Sequence, residues 1–328
     1  MHNLKNITVA IPVGVFTCIT GVSGSGKSTL MNDLLRPALE EALSSRPKKA
    51  QVQRGDALIS KIDQFDKLLS LDQNPIGHTS RADVSTYVDL LTPLRYFFAS
   101  LPLAKARGLS PKNFSFNHRK GMCTACWGLG VRHISLQFLP SVKVVCDSCH
   151  GLRLKPLSLQ VKTKEKNLGE VLLMTVVEAK EFLPPIPKVV RILDTLISVG
   201  LGYLQLGQEI ATLSGGEAQR MRLSRELARR ATGHTLYLFD EPTIGLHPDD
   251  IVKLSKIINS LVDKGNTVIM IEHNLDIMAS ADYIIDLGPG SGDKGGAIVA
   301  TGTPENVAKS SRSLTGKYLA EHLAFLSR

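Results

Sequence analysis

The chain has 328 residues, with 39 Lys and Arg against 30 Asp and Glu for a net charge of +9, and 43% of it is hydrophobic. At roughly 150 residues per domain this length implies about two domains, or one with a large insertion, and it is ample for a packed core. No run approaches the ~18–20 apolar residues of a membrane span, and no basic and apolar leader opens the chain. The expectation is a soluble, cytoplasmic protein without a membrane partner. Four of its five cysteines fall in two C-x-x-C pairs, which is not a disulfide scaffold at this length.

The elements follow in chain order. Residues 15–20 form an apolar, β-rich run of buried-strand length, followed by a glycine-rich loop and a helix beginning near Thr29. Residues 44–56 are polar and basic and read as a loop. Residues 86–104 carry a helical apolar pattern. Val131–Val145 alternates enough for a hairpin, with Pro140-Ser141 at its tip. Thr175 and Glu178 make a capping box for a helix through about Phe182, and Pro184, Pro185 and Pro187 mark a turn. The last third alternates: a strand at Leu236–Phe239, a helix from Pro248 to Lys264, and strands at Thr267–Ile271, Tyr283–Asp286 and Ala297–Ala300. Such alternation predicts an α/β fold with a mostly parallel sheet.

Charge is uneven. Residues 105–166 hold twelve Lys and Arg but only Asp147 and Glu165 as acids, a net +10 that leaves −1 for the rest. An acidic polymer is the natural partner of such a segment; a solvated basic face is the plain alternative.

Gly21-Val-Ser-Gly-Ser-Gly-Lys27-Ser28 fits G-x-x-x-x-G-K-S between a strand and a helix, the context that motif requires. Its glycines let backbone N–H groups close around phosphate oxygens, and the helix N-terminus adds positive potential. Gly21, Ser23, Gly24, Ser25, Gly26, Lys27, Ser28 and Thr29 are therefore the candidate nucleotide contacts. Lys27 is expected to reach the β/γ-phosphates and Ser28 to ligate Mg²⁺. An apolar strand ends in Asp240-Glu241, placing one carboxylate at the Mg²⁺ shell and a second as general base.

Leu213-Ser214-Gly215-Gly216-Glu217 precedes an Arg-rich helix, Gln219 to Arg230. Ser214 and Glu217 form a capping box, and the glycines leave bare amides able to meet a phosphate. Gln73 lies between the two nucleotide motifs, and His273 follows a strand. Cys123-x-x-Cys126 and Cys146-x-x-Cys149 have the spacing of a four-thiolate Zn²⁺ site. Disulfides and a redox C-x-x-C are the alternatives. Cys18, inside the first strand, reads as a small buried hydrophobe.

The order of phosphate loop, Gln loop, Leu-Ser-Gly-Gly, Asp-Glu strand and His resembles the ATP-binding-cassette family. A cysteine module between the Gln loop and the signature narrows the resemblance to the UvrA family, the damage-recognition ATPases of bacterial nucleotide excision repair. Asp72–Thr79, Phe114–Asn117, Phe138–Pro140, Val199–Tyr203, Thr212–Arg220, Asp240–Thr243, Gly245–His247, Glu272–Asp276 and Asp286–Pro289 are all similar to that family's C-terminal cassette. Ile244 departs from the family, which usually has a second Thr there. Lys120 and Met122 depart near the first cysteine pair.

The resemblance implies a P-loop ABC ATPase with a parallel-sheet core (1–85 and 231–328), a helical signature subdomain (86–230) and an inserted zinc-binding hairpin module (118–155). It implies Glu241, His273 and Gln73 as catalytic residues. Ser214, Gly215 and Gly216 would close on ATP held by a second cassette, supplied by a missing N-terminal half or a second copy. Double-stranded DNA, preferentially damaged, is the expected partner, with Arg119, Lys120, Arg132, Lys143, Arg153 and Lys155 as candidate contacts. UvrB is expected only indirectly, since its docking region has no counterpart here. Competing readings are a paralogue for drug resistance, a zinc-bearing DNA-binding or dimerisation module with weak ATPase, and a transporter ATPase.

Overall fold

The computed structural model describes residues 3–45, 47–71, 82–136, 139–228 and 234–326. The chain separates into two compact units, Met1–Gln73 with Arg230–Arg328, and Asn74–Arg229.

The first unit is built on six strands: β1 (Phe16–Gly21), β2 (Lys67–Leu71), β3 (Thr235–Asp240), β4 (Thr267–Ile271), β5 (Tyr283–Gly288) and β6 (Ala297–Gly302). Their order is β6-β5-β1-β4-β3-β2. All neighbours run parallel except β6, which is antiparallel to β5. Every residue of β1 and β4 is buried, as an apolar run covered on both faces requires. The helix Pro248–Val262 buries Ile251, Leu254, Ile258 and Leu261, and ends two residues before the expected Lys264. There Asn266 takes over: its amide donates to Leu261 O and its carbonyl oxygen accepts from Thr235 N.

Two expectations change in this unit. Within the expected loop 44–56, Gln51–Arg54 pairs with Ala57–Ser60 as a hairpin. Val52 is its one fully buried residue and joins Leu39 and Ala42 of the helix Arg36–Ser44 in the core, with its cross-strand partner Ile59 packed partly buried beside it. The helix after the phosphate loop begins as a wide π-helix at Thr29–Leu35.

The second unit is mainly short helices. The 86–104 pattern divides into Val84–Tyr87, Leu91–Ser100 and Pro102–Ala106, broken by the left-handed Asp89 (φ 58°) and by Pro102. Val176–Phe182 carries the expected Thr175–Glu178 capping box. Pro187 opens a helix, Pro187–Ser198, where its fixed φ suits the first turn. The cysteine hairpin pairs Val131–Leu136 with Leu139–Val145. Pro140 and Ser141 therefore lie inside the second strand, not at a tip; residues 137–138 lie outside the described residues. A two-stranded ribbon has only edge strands, so it tolerates that proline.

Candidate nucleotide site, cysteine centre and basic surface

The phosphate loop leaves the end of β1 at Gly21. A Cβ on Gly21 would stand 2.1 Å from Leu287 O, so only glycine fits there. Lys27 is 6% exposed, and its ammonium donates to Gly21 O and Val22 O, each at 3.0 Å. Burial pulls its pKa below the ordinary lysine value, against the opposing pull of Glu241, Asp240 and Asp286. Ser28 and Thr29 stand at the start of the helix, Ser28 exposed. Ser23 and Gly24 are exposed too, whereas Ser25 is fully buried and its hydroxyl has no protein partner.

A second glycine-rich loop, residues 288–296, lies behind the first. Gly292 N donates to Gly24 O at 3.1 Å and Gly296 N to Ser25 O at 3.0 Å. Asn3 Nδ2 also donates to Gly24 O, at 2.7 Å, and Lys5 N donates to Gly296 O at 2.8 Å. Because a trans peptide points its N–H opposite to its C=O, pinning Ser25 O from behind directs Gly26 N–H the other way.

At the end of β3, Asp240 accepts from Asn32 Nδ2 at 2.9 Å, a side chain presented by the π-helix. Glu241 turns out of the strand in a left-handed conformation, φ 48°. Its Oε1 lies 3.3 Å from His273 Nε2. Glu272, 2% exposed, staples the flanking loops: Oε1 accepts from Thr243 N, and Oε2 from His273 N and Asn274 N. One strand further, buried Asp286 accepts from Thr20, Ser313 and Thr315 hydroxyls at 2.6–2.8 Å. Cys18 is buried, as expected; burial first, then Glu272 and Asp286, push its thiol up.

The structure thus brings Lys27, Asp240, Glu241 and His273 to the ends of β1, β3 and β4. The sequence reading did not single out Asn32, Glu272 and Asp286 individually, although Glu272 and Asp286 fall inside quoted motifs. Gln73, the rest of 72–79, Phe138 and Arg230 lie outside the described residues.

In the second unit, Ser214 caps the helix Gly215–Leu227 with the expected capping box to Glu217. Tyr203 donates its hydroxyl to Glu217, and Arg220 is 5% exposed.

Cys123, Cys126, Cys146 and Cys149 are all buried, with their sulfurs within 4.8 Å of one another. Cys126 Sγ and Cys149 Sγ are 3.6 Å apart. Tetrahedral thiolates at ~2.3 Å from Zn²⁺ stand about 3.8 Å apart, so the cluster fits that ion. All four positions are protein sulfur, which makes such a site structural.

Of the basic candidates, Arg119, Lys120, Arg132 and Lys143 are exposed. Lys143 pairs with Glu209 at 3.1 Å, and Lys155 donates to Arg119 O. Arg153 differs: it turns inward, 2.7 Å from the buried Asp83 carboxylate and over the Phe116 ring. Its side chain belongs to the packing of this unit, not to the exposed basic set, because an unpaired Asp83 would be a costly buried charge.

The sheet, the phosphate loop and the Asp-Glu strand define the chain as a P-loop ATPase fold of the ATP-binding-cassette type, carrying an inserted four-cysteine module. Along 97% of its length it is 51% identical to UvrABC system protein A of Haemophilus influenzae and 49% identical to that of Escherichia coli K12. It is 51% identical over 98% of its length to the Aquifex aeolicus protein. A crystal structure of UvrA2 from Deinococcus radiodurans superposes on 98% of the chain at TM-score 0.84 and 45% identity, covering 38% of that protein. The resemblance to UvrA therefore holds nearly end to end, while the chain spans 34% of each of these curated relatives. No protein-family model matches it.

Proposed function

We propose that this chain is an ATP-hydrolysing, DNA-binding cassette of a nucleotide excision repair protein, acting on damaged or distorted duplex together with a second cassette. The observation that carries this reading is the 51% identity to UvrABC system protein A over 97% of the chain, together with Lys27, Asp240, Glu241 and His273 at the strand ends. Lys27 leaves its own loop carbonyls to hold the β/γ-phosphates. Ser28 and Asp240 would hold Mg²⁺, which neutralises the phosphate charge. Glu241 acts as general base on the attacking water, and His273, 3.3 Å away, orients that carboxylate and senses the γ-phosphate. Gln73 completes the sensing. Ser214, Gly215 and Gly216 serve a nucleotide held by the second cassette; the unit Met1–Gln73 with Arg230–Arg328 is the ATP-binding core, and the unit Asn74–Arg229 carries the signature.

Cys123, Cys126, Cys146 and Cys149 would hold Zn²⁺, which would hold the 118–155 module together, and Arg119, Lys120, Arg132, Lys143 and Lys155 meet duplex phosphates. Shape, more than base sequence, is the expected readout. The test is the ATPase rate of the chain alone, with intact duplex and with damaged duplex. Slow, concentration-dependent hydrolysis that damaged duplex alters more than intact duplex supports the reading. A fast, concentration-independent rate indifferent to DNA overturns it.

A further inference from the structure

Trp127 is the chain's single tryptophan, and it is 58% exposed. A ring that buries 150–250 Å² when covered is here left in solvent. It is held in place nonetheless. Trp127 follows Cys126 directly and sits at φ 55°, a left-handed conformation that is an outlier for a bulky residue. The neighbouring backbone imposes it: Gly128 N donates to Cys123 O and Gly130 N to Cys126 Sγ. A Cβ on Gly128 would stand 2.0 Å from Phe116 O, so the backbone that follows Trp127 is tightly packed. A strained, pinned backbone carrying an exposed aromatic points to a ligand for that aromatic.

The chemistry around it narrows the class. Residues 118–155 contain six Lys and Arg, of which Arg153 is turned inward, and one acid, Asp147, 4.0 Å from Arg132. In the hairpin register Arg132 faces Val144 and Ile134 faces Val142, so one face carries Arg132 beside three apolar side chains, all exposed. The module offers positive charge and bare apolar surface and almost no negative charge. A nucleic acid matches both, through phosphate oxygens and the π-faces of its bases. In an intact duplex those faces are covered by stacking; they open only where a base is unpaired or a neighbour is missing.

We infer that Trp127 stacks on a base exposed by distortion of the duplex, making the cysteine module a reader of helix damage as well as a binder of phosphate. This inference rests on the DNA-binding reading above.

The lone tryptophan supplies its own signal. Zinc-loaded chain is titrated with a short intact duplex and with the same duplex carrying a bulge, following tryptophan fluorescence and, separately, labelled-DNA anisotropy. The bulged duplex should quench Trp127 and the intact duplex should not. Trp127→Ala should keep zinc, affinity for intact duplex and its salt slope, while losing roughly tenfold of the preference for the bulge, the scale of one base–aromatic stack. Trp127→Phe should keep part of that preference. Equal quenching by both duplexes, or an unchanged preference in Trp127→Ala, overturns the inference while leaving DNA binding intact. Fluorescence that follows chain concentration without DNA also overturns it, placing the ring between copies of the chain. Absence of anisotropy change with either duplex defeats the DNA-binding reading itself.

Discussion

His273 Nε2 stands 3.3 Å from Glu241 Oε1, joining the loops that follow β4 and β3. Between them Glu272 accepts N–H donors from both loops, so the carboxylate proposed as base is oriented by a neighbour that is itself fixed. Glu241→Gln should keep nucleotide binding, because Lys27 and Asp240 remain, and lower turnover by about 10²–10⁴-fold. A nucleotide titration and a phosphate-release assay on the same preparation check this; unchanged turnover removes Glu241 from the role.

Lys27 titrates below the ordinary value of 10.5 in the free chain because it is buried. Nucleotide phosphates favour its charged form and raise that value again. Binding should therefore take up protons at alkaline pH, and affinity should weaken as pH rises through the free-state pKa. Calorimetry in buffers of different ionisation enthalpy checks the sign: proton release on binding contradicts it.

Arg153 and the pair Arg119 and Lys120 should separate cleanly. Arg153→Leu leaves Asp83 buried without its cation and should cost about 3–5 kcal/mol of stability in this unit, read by denaturant unfolding. Reversing charge at Arg119 and Lys120 should leave stability nearly unchanged and flatten the salt dependence of DNA binding by about two units in log–log slope.

Cys146→Ser removes one of four thiolates from a buried, closed set. Metal analysis should show zinc lost, with DNA affinity falling in parallel and nucleotide affinity retained. Normal binding of damaged duplex by the zinc-free variant would assign the module to another task.

The glycine loop behind the phosphate loop is testable through Gly296, at φ +82°, where a Cβ would come 1.7 Å from Asn3 O. Gly296→Ala should displace the amides that hold Gly24 O and Ser25 O and weaken nucleotide binding by about tenfold, the scale of two lost hydrogen bonds. Gly265→Ala, at φ +83° with open space around it, carries similar backbone strain without touching that loop and should leave affinity unchanged.

The sequence by itself determined whatever is written locally. The phosphate loop is legible because eight consecutive residues encode it. The Ser214 and Thr175 caps are legible because donor and acceptor lie three residues apart. The strands are legible because burial on both faces demands unbroken apolar runs such as Thr267–Ile271, and the cysteines because C-x-x-C pairs direct sulfurs by themselves. Tertiary structure alone decided pairings more than two hundred residues apart. The strand order seats β1 between β4 and β5, and that placement delivers Asp286 to Thr20 and brings the 288–296 loop behind Gly24 and Ser25. It decided too that Arg153 turns inward while Arg119 stays in solvent. A basic residue looks the same in sequence on either side of a packed surface; the buried Asp83 carboxylate, seventy positions away, is what draws one of them in.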